Sequence, residues 1–149
     1  MIDDFASLDL HRITLPLLRP HVAAHGTETD RDVIIAEWRR PDGAVGWGEC
    51  PTLSTFGYSD EITATAWGFL TEVIGPALVT GVFPVVDGAP MAMGAIRDAR
   101  LDARLRSAGR SLCAHLGADD GPRQVSAVVG LEAQLPSGQG PVKVKVTPD

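Results

Sequence analysis

The sequence predicts an α+β domain in which a three-stranded antiparallel meander is followed by a layer of helices. Apolar residues alternate or cluster in three short stretches at the start of the chain, and the turn signature Pro41-Asp42-Gly43 separates the second stretch from the third. Beyond residue 60, apolar residues recur every three or four positions, which is the helical period. Two further strand-like stretches follow the helices.

The meander is predicted from its composition and its turns. Residues 8–18 form the first strand, and Pro16 limits the end of that strand to a sheet edge or a strand exit. Residues 19–31 are polar and lack apolar periodicity, so they are predicted to form a loop. Residues 33–39 are rich in β-branched side chains and are predicted to pair with residues 45–50 as an antiparallel hairpin.

The helical layer is predicted from periodicity and from capping residues. A first helix is expected to begin with Ser59 as its N-cap and to be interrupted at Gly75-Pro76. A longer helix is expected to begin at Pro90 and to end before Gly109, since glycine is favoured just beyond a helix end. Residues 112–117 are predicted to form a short helical turn.

The last two strands differ from the first three. Residues 125–131 form an apolar run that predicts a strand buried on both faces. Residues 142–146 alternate valine and lysine, which places Lys143 and Lys145 on one face and the valines towards a core. Only residues 132–141 separate the two strands, and their prolines and glycines do not suit a crossover helix. The final strand is therefore expected to be unpaired, antiparallel or disordered.

Composition limits the classes of function. The 149 residues are 44% hydrophobic and 21% charged, and the net charge of −6 argues against nucleic acid or an anionic membrane as a partner. Cys50 and Cys113 lie far apart and fit no metal-ligand spacing, which favours a reducing, cytoplasmic compartment. The acidic N-terminus lacks the apolar run of a secretory signal, and no stretch is apolar enough to span a membrane.

The two lysines of the last strand carry the most specific chemical prediction. Two ammonium groups on one strand face repel each other, and this repulsion together with partial burial lowers a lysine pKa. Such a pair can keep one amine neutral near pH 7, where the amine can act as a base. The alternative is a solvent-exposed strand face that carries two ordinary lysines.

Several short motifs, taken in chain order, resemble the enolase superfamily. Within that superfamily they are most similar to the o-succinylbenzoate synthases and the related N-acylamino acid racemases. The motifs are Leu-Pro-Leu-x-Arg-Pro at 15–20, Gly-Thr-Glu-Thr at 26–29 with Arg-Asp-Val at 31–33, Gly-Trp-Gly-Glu-Cys at 46–50, Pro-Met-Ala at 90–92, Ala-Gly-Arg-Ser-Leu at 108–112 with Leu-Gly at 116–117, and Lys-Val-Lys at 143–145.

The resemblance implies an enolase-type N-terminal capping domain over residues 1–109 and a truncated start of a (β/α) TIM barrel over residues 110–149. It also implies that Lys145 is the base that removes a proton α to a carboxylate and that Lys143 lowers the pKa of Lys145. In the family a bound Mg²⁺ stabilises the product of that step. The synthases use this chemistry to dehydrate a cyclohexadiene carboxylate in menaquinone biosynthesis, and the racemases use it to invert an α-carbon.

Two loops of the capping domain cover the substrate in this family. They correspond to residues 21–29 and 51–58 here, and the resemblance implies that His25, Thr27 and Tyr58 contact a small carboxylate substrate.

The sequence also departs from the family. A complete barrel takes about 250 residues, and the metal-binding carboxylates and the opposing lysine of later strands have no counterpart; the last twenty residues contain only Glu132 and Asp149 as acids. Three hypotheses follow: a truncated o-succinylbenzoate synthase-like protein that is inactive alone, a racemase-like half of a split enzyme completed by another barrel chain, and a non-catalytic interaction module. An exposed apolar face would also favour self-association.

Overall fold

The computed structural model describes residues 2–23, 26–119, 121–129 and 140–144. A three-stranded antiparallel sheet has the order β1-β2-β3, and β4 and β5 form a separate parallel pair. The strands are β1 (Ser7–Ala23), β2 (Gly26–Arg39), β3 (Val45–Cys50), β4 (Ala127–Val129) and β5 (Val142–Val144), and the helices are α1 (Thr63–Gly68), a π-helical turn (Phe69–Ile74), α2 (Gly75–Val79), α3 (Pro90–Ser107) and α4 (Leu112–Leu116).

The predicted meander is confirmed, but the loop predicted over residues 19–31 is wrong. The first two strands continue as a long hairpin, and their pairing extends as far as Ala23 opposite Gly26. Polar composition did not reveal this, because a two-stranded arm needs cross-strand hydrogen bonds and no buried face. Pro16 lies in β1, an edge strand as predicted, and the register shifts between Pro16 and His21.

The core lies between the sheet and α3. The inward face of β2 contributes Ile34, Ala36 and Trp38, all fully buried. On β3 the inward positions include Gly46 and Gly48, where an added Cβ would overlap the backbone of α3 at Ala103 and Ala95. Small residues on both elements therefore allow helix and strand backbones to touch, which fixes the position of α3 on the sheet.

A buried acid ties the N-terminal segment to this core. Asp4 is 6% exposed, and its carboxylate accepts hydrogen bonds from Arg100 Nε at 3.0 Å to each oxygen. The indole nitrogen of Trp38 donates to the Asp4 carbonyl at 2.8 Å. The Arg100 guanidinium also stacks over the rings of Trp38 and Phe83, with centroids 5.7 and 5.2 Å away. The segment before β1 is thus joined to α3 by a charge pair and to β2 by a hydrogen bond to the Asp4 backbone.

The first helix differs from its prediction at both ends. It begins at Thr63 rather than beside Ser59, whose hydroxyl donates instead to the Glu61 carbonyl. It also continues through Gly75-Pro76 to Val79, because the backbone widens into a π-helical turn before the proline. Within that turn the Gly75 amide donates to the Leu70 carbonyl, five residues back. The wide turn accommodates the missing N–H group of proline without ending the helix.

The predicted bounds of the third and fourth helices are confirmed. α3 begins at Pro90, and Gly109 follows its C-cap with a φ of +59°, a conformation that glycine adopts without strain. α4 lies inside the predicted helical turn, and the Ser111 hydroxyl accepts a hydrogen bond from the Ala114 amide at 3.1 Å.

The structure of the two C-terminal strands differs from three expectations. Residues 142–144 pair in parallel with β4, so the expectation of an unpaired, antiparallel or disordered strand is wrong for them. Val142 and Val144 are 38% and 48% exposed and do not face a core, and β4 is not buried on both faces because Val128 is 63% exposed. The described part of the chain therefore leaves much of this parallel pair uncovered. Residues 130–131 and 145–146 of the predicted strands lie outside the described residues.

Replacement of Gly48 by alanine is expected to destabilise the protein by about 3 kcal/mol or more, since overpacked cores lose about 1–3 kcal/mol and here the overlap is with backbone. The matched control is Gly94→Ala, on α3, where an added Cβ meets nothing within 4 Å. That control should stabilise the helix by up to about 1 kcal/mol. Urea unfolding midpoints of the two variants measure both effects. Equal midpoints for the two variants would show that the close approach of α3 to β3 is not required.

Candidate functional site

The predicted catalytic strand is only partly described. Lys143 lies on β5 and is exposed, whereas Lys145 lies outside the described residues. The placement of both lysines on one face therefore stays a prediction. Of the predicted substrate contacts, Thr27 lies near the start of β2 and is exposed, Tyr58 lies in the loop after β3 with 74% of its surface exposed, and His25 lies outside the described residues.

The described residues do not bring these side chains into one site. Thr27 belongs to the three-stranded sheet, and Lys143 belongs to the separate parallel pair. The capping region and the lysine strand are thus two separate parts of the candidate site.

One acid on the hairpin connects β1 and β2. Asp32 accepts hydrogen bonds from the Thr14 hydroxyl at 2.6 Å and from Arg12 at 3.2 Å. These two contacts, with a smaller contribution from the Ser54 hydroxyl, hold the pKa of the Asp32 carboxyl below its usual value of 3.8.

The loop after β3 is closed at its base. Leu53 and Ile62 form an isolated bridge, and the Thr63 amide donates to the Leu53 carbonyl at 2.9 Å. Two buried hydroxyls, those of Thr52 and Thr63, lie 3.1 Å apart across the same base. We call residues 53–62 the aromatic loop, because its tip exposes Phe56 and Tyr58. Phe56 was not among the residues predicted from the sequence to contact a substrate, and its place next to Gly57 in a loop was the available signal. In the structure Gly57 adopts a φ of +119°.

Glu61 anchors this loop to α3. Its carboxylate is 3% exposed and accepts hydrogen bonds from the Met91 amide at 2.6 Å and the Ala92 amide at 2.9 Å. Those amides belong to the first turn of α3, where a negative charge is favoured by the helix dipole. Burial raises the pKa of the neighbouring Cys50 thiol to about 11, and the Glu61 charge adds to the rise.

The described residues do not fit a metal site. Within residues 2–23, 26–119, 121–129 and 140–144, no group of three or more histidine, cysteine, aspartate or glutamate side chains could hold a metal ion. The Mg²⁺ that the resemblance implies therefore finds no ligand set in this part of the chain.

Comparison with known proteins identifies relatives of this chain in sequence and in structure. No protein-family model matches the chain. Its sequence is 34% identical over 143 residues to an N-succinylamino acid racemase of an Amycolatopsis species, and 26% identical over 160 residues to an o-succinylbenzoate synthase of Geobacillus kaustophilus. An enolase superfamily member from Listeria innocua shares its fold with a TM-score of 0.79 and 26% identity, covering 88% of this chain. The three-stranded sheet with its helices matches the N-terminal capping domain of enolase superfamily proteins.

The match is limited to one part of these relatives. It covers 88% of this chain but 38% of the Amycolatopsis protein, and 93% of this chain but 43% of the Geobacillus protein. The Listeria structure is likewise covered over 38% of its length. In the described part of the chain, none of the helices has both the length and the apolar character that crossing a lipid bilayer requires.

The two cysteines are expected to differ in reactivity towards iodoacetamide. The thiolate is the reactive form, and Cys50 is both fully buried and shifted to a pKa of about 11, so it should stay unmodified at pH 8. Cys113 is only partly buried and should be modified in the folded protein. Peptide mass spectrometry before and after unfolding in urea measures both sites. Equal modification of the two cysteines in the native protein would contradict the buried position of Cys50.

The contribution of Asp32 to stability is expected to depend on pH. Its folded-state pKa is lowered, so its stabilisation is present above pH 4 and is lost as the pH falls through the folded-state value. Asp32→Asn should lower the free energy of unfolding by roughly 1 kcal/mol at pH 7 and by much less near pH 3. Urea midpoints at both pH values measure the difference. Thr14→Val removes the largest cause of the shift and should reduce the pH dependence; a pH-independent Asp32→Asn effect would contradict this account.

Proposed function

We propose that the chain provides the capping domain and the first barrel strands of an o-succinylbenzoate synthase-like enzyme, which removes a proton α to a carboxylate and dehydrates its substrate. The single observation that carries the proposal is the similarity to the racemase and synthase relatives over 88% and 93% of the chain. The racemisation that the Amycolatopsis name describes is the alternative outcome of the same proton abstraction. Menaquinone biosynthesis is the pathway proposed for the dehydration.

Two features of the C-terminal strands support this proposal. β4 and β5 are parallel and follow the capping domain, as expected for the start of a barrel, and their separation from the three-stranded sheet supports a division into residues 1–109 and 110–149. In the proposed enzyme Lys145 is the base and Lys143 lowers its pKa by repulsion. The proposed substrate contacts are His25, Thr27 and Tyr58 from the capping domain.

The remaining parts of the site have to come from a barrel. The carboxylates that would hold Mg²⁺ are not provided by the described residues, so the chain is proposed to be inactive alone. A barrel portion equivalent to the unmatched part of the relatives would supply them. Parallel sheets are normally covered on both faces, and the exposed Val128, Val142 and Val144 support a complementing barrel chain or self-association as the partner.

The second candidate function is a non-catalytic interaction module. The observation that favours it is the complete core of the capping region, in which β2 and α3 bury their facing side chains among the described residues. Such a module would bind a partner through the exposed valines of β4 and β5. Under either function we propose that neither nucleic acid nor a membrane is a partner and that the protein is located in the cytoplasm.

The enzymatic proposal is tested by complementation. The chain is co-expressed with the C-terminal portion of the Amycolatopsis racemase that it does not match, and the complex is incubated with an N-succinylamino acid and Mg²⁺ in D₂O. Deuterium at the α-carbon, measured by NMR, should appear in the complex and not with the chain alone. Since a general base contributes about 10²–10⁴-fold, Lys145→Ala should reduce exchange by at least about 100-fold.

Two further variants make the complementation decisive. Lys143→Ala should retain exchange but move its pH profile upwards, because the repulsion that lowers the pKa of Lys145 is lost. Arg97→Ala, at an exposed position of α3, should leave exchange unchanged. Exchange that survives Lys145→Ala, or a folded complex without exchange, would reject the enzymatic proposal in favour of the interaction module.

A further inference from the structure

The aromatic loop, residues 53–62, is attached to the rest of the domain through one side chain at its base. Glu61 lies next to the closing residue Ile62 and reaches the first turn of α3, thirty residues further along the chain. No side chain caps α3 from its own N-cap position, Ala89. The carboxylate of the loop therefore supplies the hydrogen bonds that a local N-cap residue would normally supply.

This attachment continues into the rigid part of the domain. α3 touches β3 directly where Gly46 and Gly48 meet its backbone, so the first turn of α3 is fixed relative to the sheet. The Met91 and Ala92 amides of that first turn donate two charge-assisted hydrogen bonds to Glu61, and these bonds hold the base of the loop against α3. The Thr52 and Thr63 hydroxyls add a second, neutral attachment at the same base. The loop base is thus held on two sides by buried polar contacts.

The tip that this base supports exposes two aromatic side chains. Phe56 is 66% exposed and Tyr58 is 74% exposed, and Gly57 between them adopts a conformation that few other residues accept. Aromatic rings carry a large contact area with little conformational freedom to lose on binding. Two rings at the tip of a loop with a fixed base form a contact surface that exists before any ligand binds.

We propose that Glu61 is a positioning residue, which holds the aromatic loop in a preformed geometry so that Phe56 and Tyr58 meet the apolar part of a small carboxylate substrate. The identity of the substrate rests on the proposed function, whereas the positioning of the loop does not. Glu61 does not contact the substrate. Its effect passes through the base of the loop to the two rings at the tip, so a merely stabilising role and a positioning role make different predictions.

The single tyrosine of the chain allows a direct test. Because Tyr58 is the only tyrosine, 3-fluorotyrosine incorporated during expression of the full chain reports on the loop tip alone in ¹⁹F NMR. The wild-type chain should give one narrow resonance. Glu61→Gln keeps the size of the side chain but removes its charge, and it should shift the resonance or broaden it by roughly twofold or more as the tip samples other positions.

Matched variants separate positioning from stability. Ile96→Val lies in the buried face of α3, away from the loop base, and should lower the unfolding midpoint while leaving the tyrosine resonance unchanged. Thr63→Val removes the second attachment and should change the resonance, whereas Thr63→Ser keeps the hydroxyl and should retain it. If the Glu61 variant fails to fold, the Thr63 pair decides the test. An unchanged resonance in folded Glu61→Gln or in Thr63→Val would overturn the proposal.

The substrate contact is tested in the complemented complex. There Glu61→Gln and Phe56→Ala should each raise KM about tenfold with little change in kcat, since both weaken binding without touching the reacting atoms. A fall in kcat at unchanged KM would overturn the assignment to substrate binding. If the wild-type complex shows no exchange, the proposed function and the substrate contact both fail, whereas the tyrosine resonance still decides the positioning of the loop.

Discussion

The contact between α3 and β3 is the constraint on which the rest of the domain depends. Two glycines on the strand face alanines on the helix, and the backbones approach so closely that any side chain at Gly46 or Gly48 would overlap α3. This close approach closes the core around Trp38, although the interface between α3 and β3 contains small residues at the points of contact. The chain segments on either side of the core are then attached to α3 by buried acids, namely Asp4 before the sheet and Glu61 after it.

These two acids stabilise the domain in different ways. Asp4 is a buried carboxylate that pairs with the partly exposed guanidinium groups of Arg100, at 2.8 Å, and Arg40, at 3.4 Å. Removal of Arg100 would leave its charge paired with Arg40 alone, a loss towards the lower end of the about 3–5 kcal/mol known for buried pairs. Glu61 faces the amides of a helix end, where its charge meets only partial charges and loss of the contact would weaken the helix by about 0.5–2 kcal/mol. The domain core thus depends more strongly on Asp4, and Glu61 can be varied to change the loop without unfolding the chain.

The sequence predicted the features that local pattern controls and missed those that distant contacts control. The meander, Pro90 at the start of α3 and Gly109 beyond its end follow from periodicity and capping chemistry, and all are confirmed. The pairing of residues 19–23 with the first residues of β2, in place of the predicted loop, was missed because cross-strand pairing leaves little trace in composition. The role of Glu61 was missed as well: in the sequence it appears as an acid near a helix start, and only the fold brings it to a different helix.

The lysine strand needs a cover on each of its two faces. A lysine acts as a base near neutral pH only when burial and like charge lower its pKa, and both effects need a low-dielectric surround. Among the described residues, Lys143 is exposed and the neighbouring valines are partly exposed. The low-dielectric environment is therefore absent at β5 in the described part of the chain. Val142 and Val144 point to the face opposite Lys143 and the predicted base Lys145, so the layer that would bury the valines differs from the layer that would enclose the lysines. A closed barrel provides both layers, because its interior encloses one face of each strand and its outer helices cover the other. Completion of the barrel is therefore expected both to bury the valines and to activate the lysine.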